Sequence, residues 1–145
     1  MSFGRDLRAV VERTQQKVEG VVRKAALDLQ TGMVRRAPVD TGRLRANFQV
    51  GFGQINGDAS ASPGSDPIAR TASALPQWRP GQTIYLTNSL PYAHVAEYGL
   101  YGKPPGSANG PKTRMGYSSQ AVGGFVRLTV QDFEAIVRRA ARGGA

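Results

Sequence analysis

The chain has no cysteine, a single histidine and a single tryptophan. Without cysteine it can form neither a disulfide framework nor a thiolate metal site. No stretch approaches the run of about 18 apolar residues that marks a membrane span. The opening residues, Met-Ser-Phe-Gly-Arg-Asp, lack the apolar region of a secretory signal. We therefore expect neither a secretory signal nor contact with a membrane.

Residues that carry out catalysis are equally scarce. A nucleophile needs a base beside it, and we expect His94 to pack within a predicted short helix. The ten carboxylates show no metal-ligand spacing with it. Residues 106–113 superficially resemble a phosphate-binding loop, but the glycines are wrongly spaced and Pro111 removes a backbone donor. We expect no enzymatic activity, no catalytic residue, no metal site and no cofactor.

The size and the charge of the chain leave several functions open. Its 145 residues suit one domain, which we expect to span residues 1–145. The net charge of +9 suits contact with nucleic acid or with an acidic protein surface. Because the charges are spread along the chain, a solvated arginine-rich surface is an equally open interpretation.

The N-terminal part has the pattern of a long helix. Apolar residues recur at steps of three and four from Phe3 to Met33, as on one stripe of an amphipathic helix. We predict a helix over residues 3–37, about 50 Å long at a rise of about 1.5 Å per residue. This length exceeds the width of a domain of this size. Part of the stripe is therefore expected to pack on another subunit.

A turn follows the helix. Pro38 cannot continue it, because its ring disfavours α geometry in the preceding residue and its nitrogen has no hydrogen to donate. Asp40 and Thr41 can bond nearby backbone N–H groups, and Gly42 can take positive φ. Apolar and polar residues then alternate, which predicts a half-buried antiparallel strand over residues 43–53.

The remaining elements complete an α+β fold. We predict a strand over residues 83–87, a short helix over 90–98, a C-terminal helix over 125–142, and long loops over 54–82 and 100–121. The last helix begins either near Val130, with residues 125–128 extended, or before Phe125. Trp78 is expected to plug the base of the first loop. The long N-terminal helix and the C-terminal helix are expected to pack on one face of a small, mainly antiparallel sheet.

Two motifs carry a resemblance to a known family. Ala37-Pro-Val-Asp-Thr-Gly-Arg-Leu-Arg45 follows the long helix, and Leu90-Pro-Tyr-Ala93 precedes Glu97-Tyr-Gly99. In this order they make the chain resemble the tailed-bacteriophage neck and tail-completion family, also described as tail components or minor-tail-protein-Z-like proteins. Where the family usually has a Pro-x-Gly-Met-like entry to its last segment, this chain reads Val122-Gly-Gly-Phe125.

The resemblance implies a structural virion protein without enzymatic activity. Such a protein forms a ring of six copies in the neck, completes the tail end and allows head–tail joining. A closed ring uses a heterologous interface between copies. The other implied partners are the head-closure or connector ring and the tail terminator or tail tube, while genomic DNA passes through the bore without sequence reading. The implied location is the virion, and the host cytoplasm during assembly.

The motif residues are expected to have structural roles. They are Pro38, Asp40, Thr41, Gly42, Leu44, Tyr92, Ala93, Glu97, Tyr98 and Gly99. We predict that Glu97 pairs with Arg43 or Arg45; the alternative is that all three side chains are solvated. Three residues of the second long loop are candidates for a basic surface that faces the bore or a neighbouring ring. They are Lys103, Lys112 and Arg114.

Two other functions compete with the ring. A small non-specific DNA-binding protein would bind DNA with an affinity that falls steeply with salt. A small ribonuclease-like toxin would use His94 and Tyr92 and would lose RNA cleavage on His94→Ala. The ring predicts assembly with neck proteins and no turnover.

Overall fold

The computed structural model describes residues 2–143. Helix α1 runs from Phe3 to Arg36, and its 34 residues correspond to a rod about 51 Å long. Ala37, which follows, has an extended backbone because Pro38 disfavours the helical region in the residue before it. The chain therefore leaves the helix at the turn that the sequence predicts.

Ten further elements follow α1 in the described part of the chain. They are α2 (Arg43–Ala46), β1 (Phe48–Phe52), α3 (Pro67–Ala74), a 3₁₀ turn (Leu75–Gln77), β2 (Ile84–Asn88), α4 (Pro91–Tyr98), β3 (Thr113–Arg114), β4 (Tyr117–Ser118), α5 (Val126–Gln131) and α6 (Phe133–Arg142). Strands β1 and β2 pair antiparallel, with Phe48 opposite Asn88 and Phe52 opposite Ile84. Strands β3 and β4 form a separate short hairpin. The predicted α+β fold class is confirmed.

The main core lies where α1, the β1–β2 sheet and α4 meet the start of α5. Phe48 and Phe125 are fully buried at its centre, edge to face, with ring centroids 5.9 Å apart. Other buried residues of this cluster are Met33, Val34, Ala37, Leu44, Leu90, Ala93, Ala96 and Ala121. These contributions come from widely separated parts of the chain, so the core joins the two signature motifs to the C-terminal helices.

The C-terminal helices cover only the second half of α1. Helix α6 packs on it through a smaller cluster of Ala25, Ile136 and Ala140. Helix α5 comes closest at Gly32, where a Cβ would lie 2.8 Å from Cγ2 of Thr129. A glycine is required at this crossing because a side chain would push the two helices apart.

The strand predicted over residues 43–53 is wrong in its first part. Gly42 takes φ 87°, and the chain then makes one helical turn, in which the Ala46 N–H donates to the Gly42 carbonyl at 3.0 Å. Leu44 and Ala46 are both buried in this turn. The strand begins only at Phe48, and its first three residues, Phe48, Gln49 and Val50, are all buried, so the expected half-buried alternation is wrong there as well.

The loop predicted over residues 54–82 contains α3 and the 3₁₀ turn, so the prediction of a segment without regular structure is wrong there. Asp66 caps α3: its carboxylate accepts the N–H groups of Ile68 at 3.0 Å and Ala69 at 3.1 Å. Pro67 occupies the first turn, where no N–H is needed. This local start signal is sufficient to begin a helix in a polar segment.

Side-chain contacts hold α3 and the 3₁₀ turn against the rest of the subunit. Arg70 on α3 donates to the carbonyls of Ala46 at 2.6 Å and Phe48 at 2.8 Å. Trp78 is buried, and its indole N–H donates to the Gln82 carbonyl at 2.9 Å. The guanidinium of Arg23 on α1 lies 5.3 Å from the centre of the Trp78 ring, within the range of a cation–π contact. The tryptophan therefore lies at the base of the loop, where we expected it.

The last helical region differs from the prediction over residues 125–142. Asp132 divides it, because its backbone leaves helical geometry at φ −88° and ψ 3°. Helix α5 begins at Val126, one residue after the predicted start at 125, so the alternative start near Val130 with residues 125–128 extended is wrong. The loop predicted over 100–121 contains the β3–β4 hairpin. Within residues 2–143 no helix combines the length and the apolar character needed to cross a membrane.

Candidate functional site

The signature corner after α1 acts as a helix cap. Arg45 reaches back and donates to the carbonyls of Arg35 at 2.9 Å and Ala37 at 3.1 Å. The last carbonyls of a helix lack intrahelical partners and carry partial negative charge. The Arg45 guanidinium supplies hydrogen-bond donors at this end of the helix, and its positive charge offsets the partial negative charge there. Thr41 bonds locally, as predicted for the turn, and its hydroxyl accepts the Arg43 N–H at 3.2 Å.

Two amide side chains tie this corner to distant loops. Asn47 is fully buried; it donates to the carbonyls of Arg43 and Ala61 and accepts the Ala61 N–H at 2.9 Å. Gln120 bonds Val39 twice, accepting its N–H at 2.9 Å and donating to its carbonyl at 2.8 Å. Sequence reasoning missed both residues, because a lone amide gives no sign of a partner 14 or 81 positions away.

Glu97, the centre of the second motif, caps α5 across the fold. Its buried carboxylate accepts the N–H groups of Phe125 at 2.8 Å, Val126 at 2.9 Å and Arg127 at 3.0 Å. The Arg127 guanidinium donates to the same carboxylate at 3.1 Å and to the Glu97 carbonyl at 2.7 Å. A negative charge at a helix N-terminus satisfies its free N–H groups and its partial positive charge.

The environment keeps Glu97 ionised. Burial raises the pKa of the carboxyl, but hydrogen bonds from the three backbone N–H groups and from Arg127 outweigh it and hold the pKa below its ordinary value. Gly124 makes this approach possible: it takes φ 96°. A Cβ on it would lie 2.8 Å from both the carbonyl oxygen and the carboxylate of Glu97. Glycine is therefore required at position 124 for Glu97 to reach the start of α5.

The predicted ion pair of Glu97 with Arg43 or Arg45 is wrong within the subunit. Glu97 pairs with Arg127, and Arg45 caps α1. The guanidinium of Arg127 also lies 4.8 Å from the ring centre of Tyr98. Four hydrogen bonds from one short segment satisfy the carboxylate more completely than a single distant arginine could.

The other motif residues are split between the core and the surface. Leu44 and Ala93 are buried. Gly99 ends α4 with φ 67°, where a Cβ would lie 2.6 Å from the Tyr117 ring. Asp40 and Tyr92 line an open cavity of about 620 Å³, together with Pro38, Thr41 and Gly42 of the corner. Tyr101 lines the same cavity. Burial raises the pKa of its hydroxyl most, and the nearby Tyr92 and Asp40 raise it further.

The candidate basic loop, defined by Lys103, Lys112 and Arg114, lies on the surface. All three side chains are exposed, and none forms an ion pair with a described residue. Lys112 lines the cavity of the signature corner, whereas the other two do not. The structure therefore gathers only one of the three at the signature corner.

His94 is exposed on α4, and its ring lies against that of Tyr98, with centroids 4.9 Å apart. No group of three or more His, Cys, Asp or Glu side chains is placed to hold a metal ion among residues 2–143. The signature residues make contacts within the fold, and their chemistry is that of helix caps and turns.

The N-terminal part of α1, residues 3–18, extends beyond the body of the subunit, and we call it the projecting half. All of these residues except the half-buried Ala9 are exposed. Its apolar side chains are Phe3 (81% exposed), Leu7 (51%), Val10 (54%), Val11 (47%) and Val18 (56%). An exposed apolar row of this length on one helix face is typical of protein interaction surfaces.

An apolar groove begins where the projecting half ends. It has a volume of about 370 Å³. Its lining consists of Val21, Val22, Ala25, Ala26 and Leu29 of α1, Ile84 and Leu86 of β2, and Phe133 and Val137 of α6. Phe133 is 52% exposed at its edge. The groove therefore continues the apolar face of α1 onto the body of the subunit.

A body with a long uncovered apolar helix face is typical of a subunit that assembles with other proteins. Residues 2–99 match the family model described as "Bacteriophage HK97-gp10, putative tail-component". This match covers more than half of the chain and includes both signature motifs. The chain belongs to this family of bacteriophage tail components and is a structural component of the phage virion. No curated protein and no solved structure shows a significant match to it.

Proposed function

We propose that this protein assembles with copies of itself into a ring in the neck of a tailed bacteriophage, where it completes the tail end and allows the filled head to join. Membership in the tail-component family supports a structural role in the virion. The neck position and the ring are the further steps of the proposal.

The observation that carries the proposal is the exposed face of the projecting half. Phe3, Leu7 and Val18 are each more than half exposed, although burying such a side chain contributes about 1.5–3 kcal/mol. The straight helix holds them away from the subunit's own core. Contact with another protein is therefore the available way to bury them, and a ring supplies an equivalent contact to every copy.

Mass measurement tests this proposal directly. The purified protein is measured by light scattering and native mass spectrometry, alone and after addition of tail tubes, and the particles are imaged by electron microscopy. We expect a closed oligomer of defined copy number that sits at the end of the tube. A protein that stays monomeric under both conditions would refute the ring.

A genetic experiment tests the position in the neck. Phage that lack this protein are expected to accumulate filled heads and separate tails, and the purified protein added to an extract is expected to restore joining. Normal heads with tails absent altogether would instead indicate an earlier step in tail assembly.

Contact with the passing genome is a second part of the proposal. The basic loop has three exposed cations without ion-pair partners among the described residues, and a bore lined by such groups would contact phosphates without reading sequence. A protein that bound DNA strongly as a monomer, with an affinity that falls steeply with salt, would favour the small DNA-binding protein instead.

A further inference from the structure

We propose that the groove between α1, β2 and α6 of one copy receives the projecting half of α1 from the adjacent copy. This inference rests on the proposed ring. It adds which surfaces of adjacent copies form the contact, and that the contact runs head to tail around the ring. One copy contributes Phe3, Leu7 and Val10, and its neighbour contributes the groove that contains Leu86 and Val137.

The two surfaces cannot meet within one subunit. Leu7 and Val21 lie 14 positions apart on a continuous helix, which is about 21 Å along its axis. They lie on the same side of the rod, since 14 residues are close to four complete turns. The projecting half therefore points away from its own groove and can fill only the groove of another molecule.

The occupant of the groove is a protein segment. Small-molecule sites combine apolar walls with a few placed polar groups, whereas the groove is lined by nine apolar residues. Its open side exposes Phe133 and leaves Ile84 and Leu86 half-buried. An apolar helix face matches this lining, because side chains three and four positions apart form a continuous ridge.

The proposed contact is heterologous: each copy contributes its projecting half to one neighbour and its groove to the other. Each copy has one projecting half and one groove, so head-to-tail seating fills both on every copy of a closed ring. Pairing between projecting halves would leave all of the grooves open. The geometry therefore favours a directional ring contact over a two-fold dimer.

Disulfide trapping tests this seating, because the chain contains no cysteine of its own. Two single variants are made, Leu7→Cys and Val137→Cys, with Gln16→Cys as the matched control. Gln16 is exposed and lies nine positions from Leu7, half a turn away from the apolar face. Equal mixtures are oxidised under assembly conditions and separated on a non-reducing gel.

We expect Leu7→Cys with Val137→Cys to give a cross-linked dimer in about tenfold higher yield than Gln16→Cys with Val137→Cys, since a disulfide needs Cα atoms about 4.4–6.8 Å apart. A single chain that carries both Leu7→Cys and Val137→Cys should give a ladder that ends at the ring. Disulfides formed by Leu7→Cys alone, or equal yields with the control, would overturn the seating. Rings of the unsubstituted protein without the expected cross-link refute only the seating, whereas the absence of any oligomer refutes the ring itself.

Discussion

Replacing Glu97 by glutamine removes the charge that caps α5 while keeping the size of the side chain. The carboxylate accepts three backbone N–H groups and one guanidinium N–H. The amide keeps one acceptor oxygen and turns an NH₂ group toward donors. Hydrogen bonds to charged groups contribute about 1.5–3 kcal/mol each and are not additive, and losing a helix cap costs about 0.5–2 kcal/mol. We expect the free energy of unfolding to fall by about 3 kcal/mol.

Urea unfolding at pH 7, followed by circular dichroism, measures this loss. A destabilisation of this size also lowers Tm by roughly 10 °C in a domain of this length. Glu134→Gln is the matched control, because its ion pair with Arg138 lies between side chains that are 76% and 71% exposed, and such surface pairs contribute about 0–1 kcal/mol. A Glu97→Gln variant that unfolds at the same urea concentration as the unsubstituted protein would refute the capping role.

The hydrogen bonds to Glu97 also predict how the stability lost in Glu97→Gln depends on pH. Because hydrogen bonds hold the pKa of Glu97 below its ordinary value, against the effect of burial, the ionised carboxylate stabilises the folded state. This contribution is complete above pH 4.5, the ordinary pKa, and disappears as the pH falls through the folded pKa. The stability gap to Glu97→Gln should therefore shrink below pH 4.5. A gap that stays constant in acid would contradict the assignment.

Three further predictions concern Gly124, Asn47 and the three cations of the basic loop. Gly124→Ala should lower the free energy of unfolding by more than about 2 kcal/mol in thermal melts, because its Cβ would clash with Glu97, whereas Gly64→Ala, which meets nothing within 4 Å, should change it by less than about 0.5 kcal/mol. Asn47→Ala should cost about 2–3 kcal/mol by urea titration, because the backbone of half-buried Ala61 loses both bonds to the buried amide. Replacing the three cations of the basic loop by alanine should leave the oligomer mass unchanged but weaken retention of DNA on the ring; unchanged retention would remove the loop from the bore.

Local signals explain the parts of the fold that the sequence predicts well. The long helix has a regular apolar period and ends at Pro38, and its exposed first half follows from a length that no small body can cover. Helix α4 is closed by Gly99 in the left-handed conformation. Helix α3 also had a local signal, since Asp66 followed by Pro67 is a strong helix start, but the surrounding small polar residues concealed it.

Long-range contacts explain the parts that could not be predicted. The start of α5 has no capping side chain of its own, because its cap is Glu97, 28 positions earlier in the chain. Nothing in the composition distinguishes Arg127 from Arg43 or Arg45 as its partner. The choice depends on the path of the intervening loop, and periodicity carries no information about that path.

Assembly and helix formation should be coupled in the projecting half. Residues 3–18 make a sixteen-residue segment whose N-cap, Ser2, forms no side-chain hydrogen bond. Most of the stability of a helix in a protein comes from the packing of its apolar face, and residues 3–18 have little such packing within the subunit. Amide hydrogens of residues 3–18 should therefore exchange rapidly in the monomer and slowly in the ring, while those from Ala25 onward, which α6 covers, should exchange slowly in both. Equal exchange of residues 3–18 in monomer and ring would show that this helix face remains uncovered after assembly.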